Sequence, residues 1–201
     1  MRREKQRMKK LFIFLMFLTL TLCITACGSK DAGLAEESYT IEIEIENYGV
    51  ITAVLDAKTA PITVKNFIDL INKDFYDGVS FHRIINGFMM QGGDPNGNGI
   101  NDEDTPTIKG EFAYNGVDNN ISHTRGTLSM ARSSSYNSAA SQFFIMHEDD
   151  TRLDGQYAAF GRVTDGMDIV DEICKNTPVT DNNGSVAPQN RPIIKEIRIV
   201  D

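Results

Sequence analysis

The stretch of sequence that decides the fold runs from Phe81 to Asp94 and reads FHRIINGFMMQGGD. It places one arginine, one glutamine and several large apolar side chains within 14 residues. A second stretch follows downstream, with SQFFI at 141–145 and LDGQ at 153–156. Both stretches have the composition of short strands. The side chains that we expect to face the core, at alternating positions, are Phe81, Met90 and Phe143.

Outward from these stretches, most of the chain has the pattern of short strands. Residues 39–46 alternate apolar residues with glutamates, which predicts a strand with one buried face. Asn47-Tyr48-Gly49 supplies a turn into an apolar strand over 50–55. Further strands are predicted at 80–84, 88–92, 126–131, 142–147, 158–163 and 192–200. The number of strands alone fits a closed barrel or a sandwich.

Two segments have the apolar spacing of amphipathic helices. In residues 60–73, apolar side chains recur at i, i+3, i+4 and i+7 from Val64, and Pro61 suits the first turn. The second helix is marked by Met167, Val170, Ile173 and Cys174. The region 38–201 is long enough for one domain with a sizeable core.

The two quoted stretches resemble the active-site segments of the cyclophilins, which are peptidyl-prolyl cis/trans isomerases. The resemblance covers residues 39–201 and implies a mainly β fold, a closed eight-stranded antiparallel barrel with two capping α-helices. It also implies an enzyme that accelerates rotation of X-Pro bonds without a cofactor or a metal. The expected partners are proline-containing, unfolded or exported polypeptides.

The resemblance further implies which residues form the site. Arg83 falls on the family's catalytic arginine, and Gln91 falls on a polar group that orients it. The positions that correspond to substrate-binding residues are Phe88, Met89, Ala131, Arg132, Gln142, Phe144, Leu153 and Tyr157.

An arginine beside an apolar pocket suits this reaction on physical grounds. Amide resonance sets a barrier of ~18–20 kcal/mol to rotation of the peptide bond. Twisting the bond localises a lone pair on the prolyl nitrogen, which a guanidinium can meet with a hydrogen bond that the planar amide does not accept. The alternative is a non-catalytic chaperone module that binds proline peptides. Binding alone would not require Arg83.

The chain departs from the eukaryotic pattern at two positions. It has no tryptophan, and Arg152 holds the groove position where many eukaryotic cyclophilins carry one. Tyr157 replaces a histidine at the pocket rim. Loss of the indole's hydrogen bond and flat apolar face predicts weak binding of cyclosporin.

The N-terminal residues predict a bacterial lipoprotein. A basic head is followed by an apolar run from Leu11 to about Ile24, shorter than the ~20 residues that span a bilayer. Residues 24–27, Ile-Thr-Ala-Cys, match a lipobox, which predicts a signal peptide over 1–26 and a lipid on Cys27. A tether over 27–37 then leads to the domain, and the expected location is the extracytoplasmic face of the cell membrane. An uncleaved transmembrane anchor and a fortuitous cysteine remain open alternatives.

Charge and cysteine content narrow the possible partners. Without residues 1–26 the chain has 14 Lys and Arg against 27 Asp and Glu, a formal charge of −13. This balance argues against binding of nucleic acid and against electrostatic attraction to anionic lipid. Cys174 has no second cysteine in the domain to pair with, and its apolar helical setting predicts an inert thiol. We expect a monomer.

One loop and three histidines have simple structural interpretations. Residues 94–99 copy the first half of an EF-hand calcium loop, but Thr105 stands where a bidentate glutamate is required. A glycine-rich surface loop is therefore expected, with no metal site. His82 and His123 are expected to be structural histidines with satisfied ring nitrogens, and His147 is expected to be a bystander to the chemistry.

Overall fold

Eight β-strands and two α-helices make up the part of the chain that the computed structural model describes, residues 34–101 and 105–200. The strands are β1 (Ser38–Ile45), β2 (Gly49–Asp56), β3 (Arg83–Ile85), β4 (Met89–Gly92), β5 (Thr127–Met130), β6 (Phe143–Met146), β7 (Ala159–Asp165) and β8 (Ile194–Ile199). The helices are α1 (Pro61–Ile71) and α2 (Met167–Asn176). Each element overlaps a segment predicted above. The signal peptide, Cys27 and the first part of the tether lie outside the described residues.

The strands form one antiparallel sheet in the order β3-β4-β6-β5-β7-β2-β1-β8. Backbone hydrogen bonds beside β3 and β8 join the two edges of this sheet. Phe81 N–H donates to Pro192 O at 2.9 Å, and Ile194 N–H donates to Val79 O at 2.8 Å. The sheet is therefore strongly curled into a barrel, which confirms the predicted fold and excludes the sandwich.

The barrel interior is filled by the alternating apolar residues of the strands. The isoleucines of β1 are buried, while its glutamates lie on the other face and form ion pairs with Lys195 and Arg198 of β8. The three side chains predicted to face inward, which are all 0 % exposed, are Phe81, Met90 and Phe143. Alternation along the strands thus decided which face became the core.

The predicted strand over 80–84 is shorter in the structure, because the chain changes partners there. Ser80 forms bridges to both Asp94 and Ile193, and regular pairing with β4 begins only at Arg83. The residues before β3 therefore belong to the junction between the two sheet edges.

A buried carboxylate holds the start of α1, which packs against β2 and β8. The side chain of Glu111 accepts hydrogen bonds from the N–H groups of Ile62 at 3.0 Å and Thr63 at 2.7 Å, and from the Thr63 hydroxyl at 2.7 Å. The first amides of a helix have no partner within the helix, and negative charge is favourable at that end. Glu111 therefore fixes α1 to the loop before β5.

The second helix, α2, packs against β2 and β4 and buries Cys174. Burial raises the pKa of the Cys174 thiol to about 12, so the unreactive protonated form is favoured at neutral pH. This agrees with the inert thiol predicted above. Within residues 34–101 and 105–200, none of the helices is long and apolar enough to cross a bilayer.

Candidate active site

The β3–β4 hairpin places Arg83 directly opposite Gln91. The turn between the strands contains Gly87 at a φ of 81°, a conformation that glycine adopts readily. Because side chains alternate along a strand, this register puts Arg83 and Gln91 on one face, while the neighbouring pair Ile84 and Met90 is buried in the barrel.

The guanidinium of Arg83 contacts acceptors on three residues, Asn183, Gln91 and Met89. Its Nε donates to the backbone oxygen of Asn183 at 2.9 Å, its Nη2 donates to Asn183 Oδ1 at 3.3 Å, and its Nη1 donates to Gln91 Oε1 at 3.2 Å. A second N–H of Nη1 points to Met89 Sδ at 3.9 Å, a weak acceptor. An arginine has five N–H groups, so one remains available. Burial lowers the pKa of Arg83, but an arginine stays charged at any physiological pH.

A chain of amides extends from Arg83 across the site. Gln91 Nε2 donates to Gln142 Oε1 at 3.0 Å, and Gln142 Nε2 donates to Asn101 Oδ1 at 3.3 Å. Each glutamine amide accepts a hydrogen bond through its oxygen from the preceding residue of the chain and donates one through its nitrogen to the next. The orientation of the Gln91 oxygen toward the guanidinium is thereby determined.

Beside Arg83 lies a cavity of about 220 Å³, called here the first cavity. Its wall includes a cluster that is separate from the barrel core and contains the buried Met89 and Phe144. All of its lining residues were predicted as site residues: Arg83, Phe88, Met89, Gln91, Ala131, Arg132, Phe144, Leu153 and Tyr157. The structure thus brings together, in one small and largely apolar cavity, residues from distant parts of the sequence.

The remaining predicted site residue, Gln142, lies next to it. It lines a second cavity of about 370 Å³, together with Asn101 and Ser133. Ala131 and Arg132 line both cavities. An extended peptide could therefore occupy the two cavities with adjacent residues.

A buried histidine supports the aromatic wall of the first cavity. His123, which is 0 % exposed, stacks on Phe144 with ring centroids 6.0 Å apart. Its Nδ1 lies 2.9 Å from Asp154 Oδ1, and its Nε2 lies 3.0 Å from Ser129 Oγ. Burial lowers the pKa of His123, so the neutral ring donates from Nδ1 to Asp154 and accepts from the Ser129 hydroxyl. His123 is a satisfied structural histidine, as predicted.

Arg132 is fixed among aromatic rings. Its guanidinium carbon lies 4.6 Å from the ring centroid of Tyr157, 5.1 Å from that of Tyr136 and 5.2 Å from that of Phe112. Its Nε and Nη2 both donate to the backbone oxygen of Gln156, at 3.0 and 2.9 Å. This arrangement holds a positive charge at the boundary of the first and second cavities.

Comparison with known proteins identifies the family of this site. Residues 40–200 match the family described as cyclophilin type peptidyl-prolyl cis-trans isomerase/CLD. The chain belongs to the cyclophilin family. It is therefore a peptidyl-prolyl cis-trans isomerase, whose substrates are proline-containing polypeptides.

Individual relatives agree with this assignment. The cyclophilin is 41% identical over 159 residues to peptidyl-prolyl cis-trans isomerase A of Dickeya dadantii, which covers 76% of this chain and 80% of that protein. It is 40% identical over 135 residues to peptidyl-prolyl cis-trans isomerase B of Escherichia coli, covering 63% and 79%. A Cryptosporidium parvum cyclophilin, solved in the presence of the dipeptide Ala-Pro, superposes with a TM-score of 0.69 at 31% identity, covering 81% of this chain and 99% of that chain.

The two departures from the eukaryotic pattern differ in their place at the site. Tyr157 lines the first cavity and packs edge-on against Phe144, with ring centroids 6.0 Å apart. Arg152 instead forms an ion pair with Asp150 at 2.7 Å, and its side chain is 89% exposed. The Arg152 side chain therefore adds no wall to the first cavity of this cyclophilin.

Sequence reasoning missed the residue that anchors Arg83. Asn183 lies 100 positions downstream, in the loop after α2. The carboxylate of Asp181 organises this loop by accepting from the N–H groups of Asn183 at 2.9 Å and Ser185 at 3.0 Å. Asp-Asn-Asn-Gly at 181–184 is a recognisable turn signal, but nothing in it indicates the arginine that the turn meets.

One histidine prediction was wrong. His82 is buried, but neither of its ring nitrogens has a hydrogen-bond partner among the described residues. His147, predicted to be a bystander to the chemistry, has a structural role, because its Nδ1 accepts from the N–H of Gly87 at 2.9 Å in the β3–β4 turn. Its Nε2 lies 3.1 Å from Asp171 Oδ1. His147 thus supports the hairpin that carries Arg83.

In the loop whose sequence is similar to half of a calcium site, the first carboxylate forms hydrogen bonds within the loop. Asp94 is 0 % exposed and accepts from the N–H groups of Asn96 at 2.9 Å, Asn98 at 2.7 Å and Gly99 at 2.7 Å. These bonds shape the loop beside the second cavity. Within 34–101 and 105–200, we find no group of three or more histidine, cysteine or acidic side chains placed to hold a metal ion.

Proposed function

We propose that the first cavity holds the proline ring of an X-Pro segment and that Arg83 stabilises the twisted amide during isomerisation. The observation that carries this proposal is the fixed guanidinium at the edge of an apolar cavity, with one N–H group left over after Asn183, Gln91 and the weakly accepting sulfur of Met89 have been satisfied. A charge that is already oriented needs no reorganisation when the lone pair develops on the prolyl nitrogen.

The cavity and the arginine have separate tasks in this mechanism. Phe88, Met89 and Phe144 bury the ring equally well in both isomers, which contributes to binding but not to rate. The hydrogen bond from Arg83 to the prolyl nitrogen forms only when the amide is twisted. Since each ~1.36 kcal/mol of such differential stabilisation is worth a factor of ten in rate, one charge-assisted hydrogen bond accounts for about two orders of magnitude.

The amides beside Arg83 suit the backbone of the substrate. Gln91 and Gln142 line the second cavity, where the residues before proline would lie. The Cryptosporidium relative was crystallised in the presence of the dipeptide Ala-Pro, which is a minimal X-Pro unit. Substrate selection would then depend on the second cavity, and catalysis on Arg83.

The test is the exchange rate of an X-Pro peptide, measured by NMR with the purified protein and its Arg83→Ala variant. We expect catalysed exchange to fall by about 10²–10³ while peptide affinity is largely kept. Arg198→Ala, on the outer face of β8, is the matched control and should exchange at the normal rate. Binding without acceleration by the unmodified protein would instead support the non-catalytic chaperone module.

We further propose that this isomerase acts outside the cell membrane, anchored by lipid on Cys27, on exported polypeptides. The support is the order of basic head, apolar run and lipobox in residues 1–27. Lipid chains contribute about 0.8 kcal/mol per buried methylene, so two or more hold a protein on a bilayer durably. Exported chains arrive unfolded with mixed proline isomers, which is the substrate that such an enzyme needs.

The location is tested in bacteria that express the full chain and are fed radiolabelled palmitate. The normal protein should carry the label and sediment with membranes. The Cys27→Ser variant should carry none and remain a larger, uncleaved precursor. Equal labelling of both proteins would contradict the anchor.

A further inference from the structure

A third cavity, of about 480 Å³, adjoins the first and shares Arg83 and Gln91 with it. Polar side chains form most of its remaining lining, and the proposed isomerase mechanism uses none of their unpaired groups. The lining residues whose side chains have N–H groups without a described partner are His82, Asn98, Asn183 and Arg191. Among the described residues, no carboxylate lines this cavity. It is therefore rich in hydrogen-bond donors within an acidic chain.

His82 is the first indication of a ligand. It is only 6% exposed, and in the part of the chain that the structure describes neither ring nitrogen makes a well-formed hydrogen bond, although the Ser80 backbone lies close enough to act on the ring. A neutral imidazole needs one acceptor for its N–H and one donor for its other nitrogen, and burying either unpaired is costly. A Cβ built on Gly99 would lie 3.9 Å from His82 Nε2, so this nitrogen faces the glycine loop that lines the cavity.

Arg191 supplies a charge at the same place. Its Nε donates to the backbone oxygen of Val186 at 2.9 Å, while the structure gives its two terminal nitrogens no partner among residues 34–101 and 105–200. A Cβ on Gly97 would lie 2.0 Å from Arg191 Nη1. The guanidinium therefore lies directly against the glycine loop, and the absence of a side chain at Gly97 makes this approach possible.

Two carboxylates outside the described lining of the cavity act on its groups electrostatically, Asp94 on His82 and Asp181 on Arg83. Asp94 acts on His82 electrostatically, but its carboxylate accepts three backbone N–H groups of its own loop. Arg83 and Arg191 act on the same ring with positive charge. Two guanidinium groups and an unpaired imidazole N–H thus converge on one cavity without a carboxylate in its described lining.

We propose that the third cavity binds a small oxyanion, a phosphate or a carboxylate group. The Arg191 guanidinium and the imidazole N–H of His82 hold the anion, and the side-chain amides of Asn98 and Asn183 are further donors. A guanidinium fork matches the spacing of two oxygens on such groups. The anion comes either from solution or from an acidic residue of the bound polypeptide, since the cavity is continuous with Arg83 and Gln91 of the first cavity.

This proposal goes beyond the isomerase mechanism, and each of the two can be refuted without the other. Binding of inorganic phosphate is measured without any isomerisation, by calorimetry and by the ring NMR signals of His82 in protein with labelled histidine. We expect phosphate to shift the His82 signals. We expect the Arg191→Gln variant to bind phosphate about tenfold more weakly, the loss that accompanies removal of one charge-assisted hydrogen bond.

The matched control is Arg198→Gln, which removes the same charge from the outer face of β8. Phosphate affinity should be unchanged in this variant. If Arg191→Gln lowers the melting temperature, two other variants are used instead. Arg191→Lys keeps the positive charge, and Asn98→Ala keeps Arg191 together with its hydrogen bond to Val186. Equal loss in the Arg191 and Arg198 variants would show general charge attraction and would overturn the site.

Peptides distinguish the two sources of the anion. Peptides with Glu or Gln at each position flanking X-Pro are compared in the protein and in Arg191→Gln. A preference for Glu that disappears in the variant assigns the anion to the polypeptide, and phosphate binding without such a preference assigns it to solution. Absence of both phosphate binding and a Glu preference would overturn the proposal.

Discussion

Replacement of Gln91 tests whether the amide chain, and not only the arginine, is needed for catalysis. Gln91→Leu removes the acceptor of Arg83 Nη1 at 3.2 Å and the donor to Gln142 Oε1 at 3.0 Å. Gln142 is only 4% exposed, so its oxygen is left without a partner, at a cost of about 1–3 kcal/mol in the free energy of unfolding. Arg83 keeps both bonds to Asn183 but loses its alignment from the side of the cavity.

The expected loss of activity follows from that alignment. If the guanidinium gives up about half of a charge-assisted hydrogen bond to the twisted amide, kcat/KM falls about tenfold, since the whole bond supplies about two orders of magnitude. Gln91→Glu separates geometry from charge, because a carboxylate still accepts from Arg83 Nη1 but neutralises the guanidinium. We expect this variant to lose at least as much activity as Gln91→Leu while its free energy of unfolding falls less.

The assay combines NMR exchange of an X-Pro peptide with peptide affinity and urea unfolding of the same samples. Loss of kcat at nearly constant affinity is the signature of a positioning residue, since replacing a residue that only binds would weaken affinity and leave kcat unchanged. The reasoning is refuted if Gln91→Leu unfolds at lower urea but exchanges the peptide at the normal rate.

Three further outcomes are expected. Glu111→Ala should lower the free energy of unfolding in urea by about 2–4 kcal/mol, because the first amides of α1 lose their acceptor; an unchanged midpoint would contradict this. Burial lowers the pKa of His82 and His123 below 6.5, so the unfolded chain binds protons first, and thermal stability should fall as the pH drops below 6.5; equal melting temperatures at pH 7.5 and 5.5 would refute it. Cyclosporin should bind weakly, since Arg152 turns to Asp150; a sub-micromolar dissociation constant would show otherwise.

The elements of this fold could be predicted because they depend on local patterns. Alternation in residues 39–46 and helical spacing from Val64 report which face is buried, whatever the partner is. Closure of the sheet could not be derived in this way, since it depends on contacts such as Phe81 with Pro192, which lie far apart in the sequence. The resemblance to a known family supplied that part.

The same division applies to the site. All the predicted lining residues lie in two recognisable stretches or in the segments near them, and the structure places nine of them around one cavity. The roles of Asn183 and His82 could not be predicted from the sequence. Asn183 contacts Arg83 only because a turn 100 positions downstream folds against it. The unpaired state of His82 depends on which polar groups the fold places within hydrogen-bonding distance of its ring.

The short strand β3 explains how a distant loop reaches Arg83. On one side Arg83 pairs with Gln91, but on the other side its neighbour is the irregular segment 184–186, where Ile84 N–H donates to Gly184 O at 2.8 Å and Arg83 bridges to Ser185. A regular strand there would present its side chains above and below the sheet and would not carry a backbone oxygen to the guanidinium. The turn brings the oxygen of Asn183 within 2.9 Å of Arg83 Nε. A loop at the edge of the sheet therefore holds the arginine in place, so under the proposed mechanism changes in this loop alter catalysis without touching the substrate.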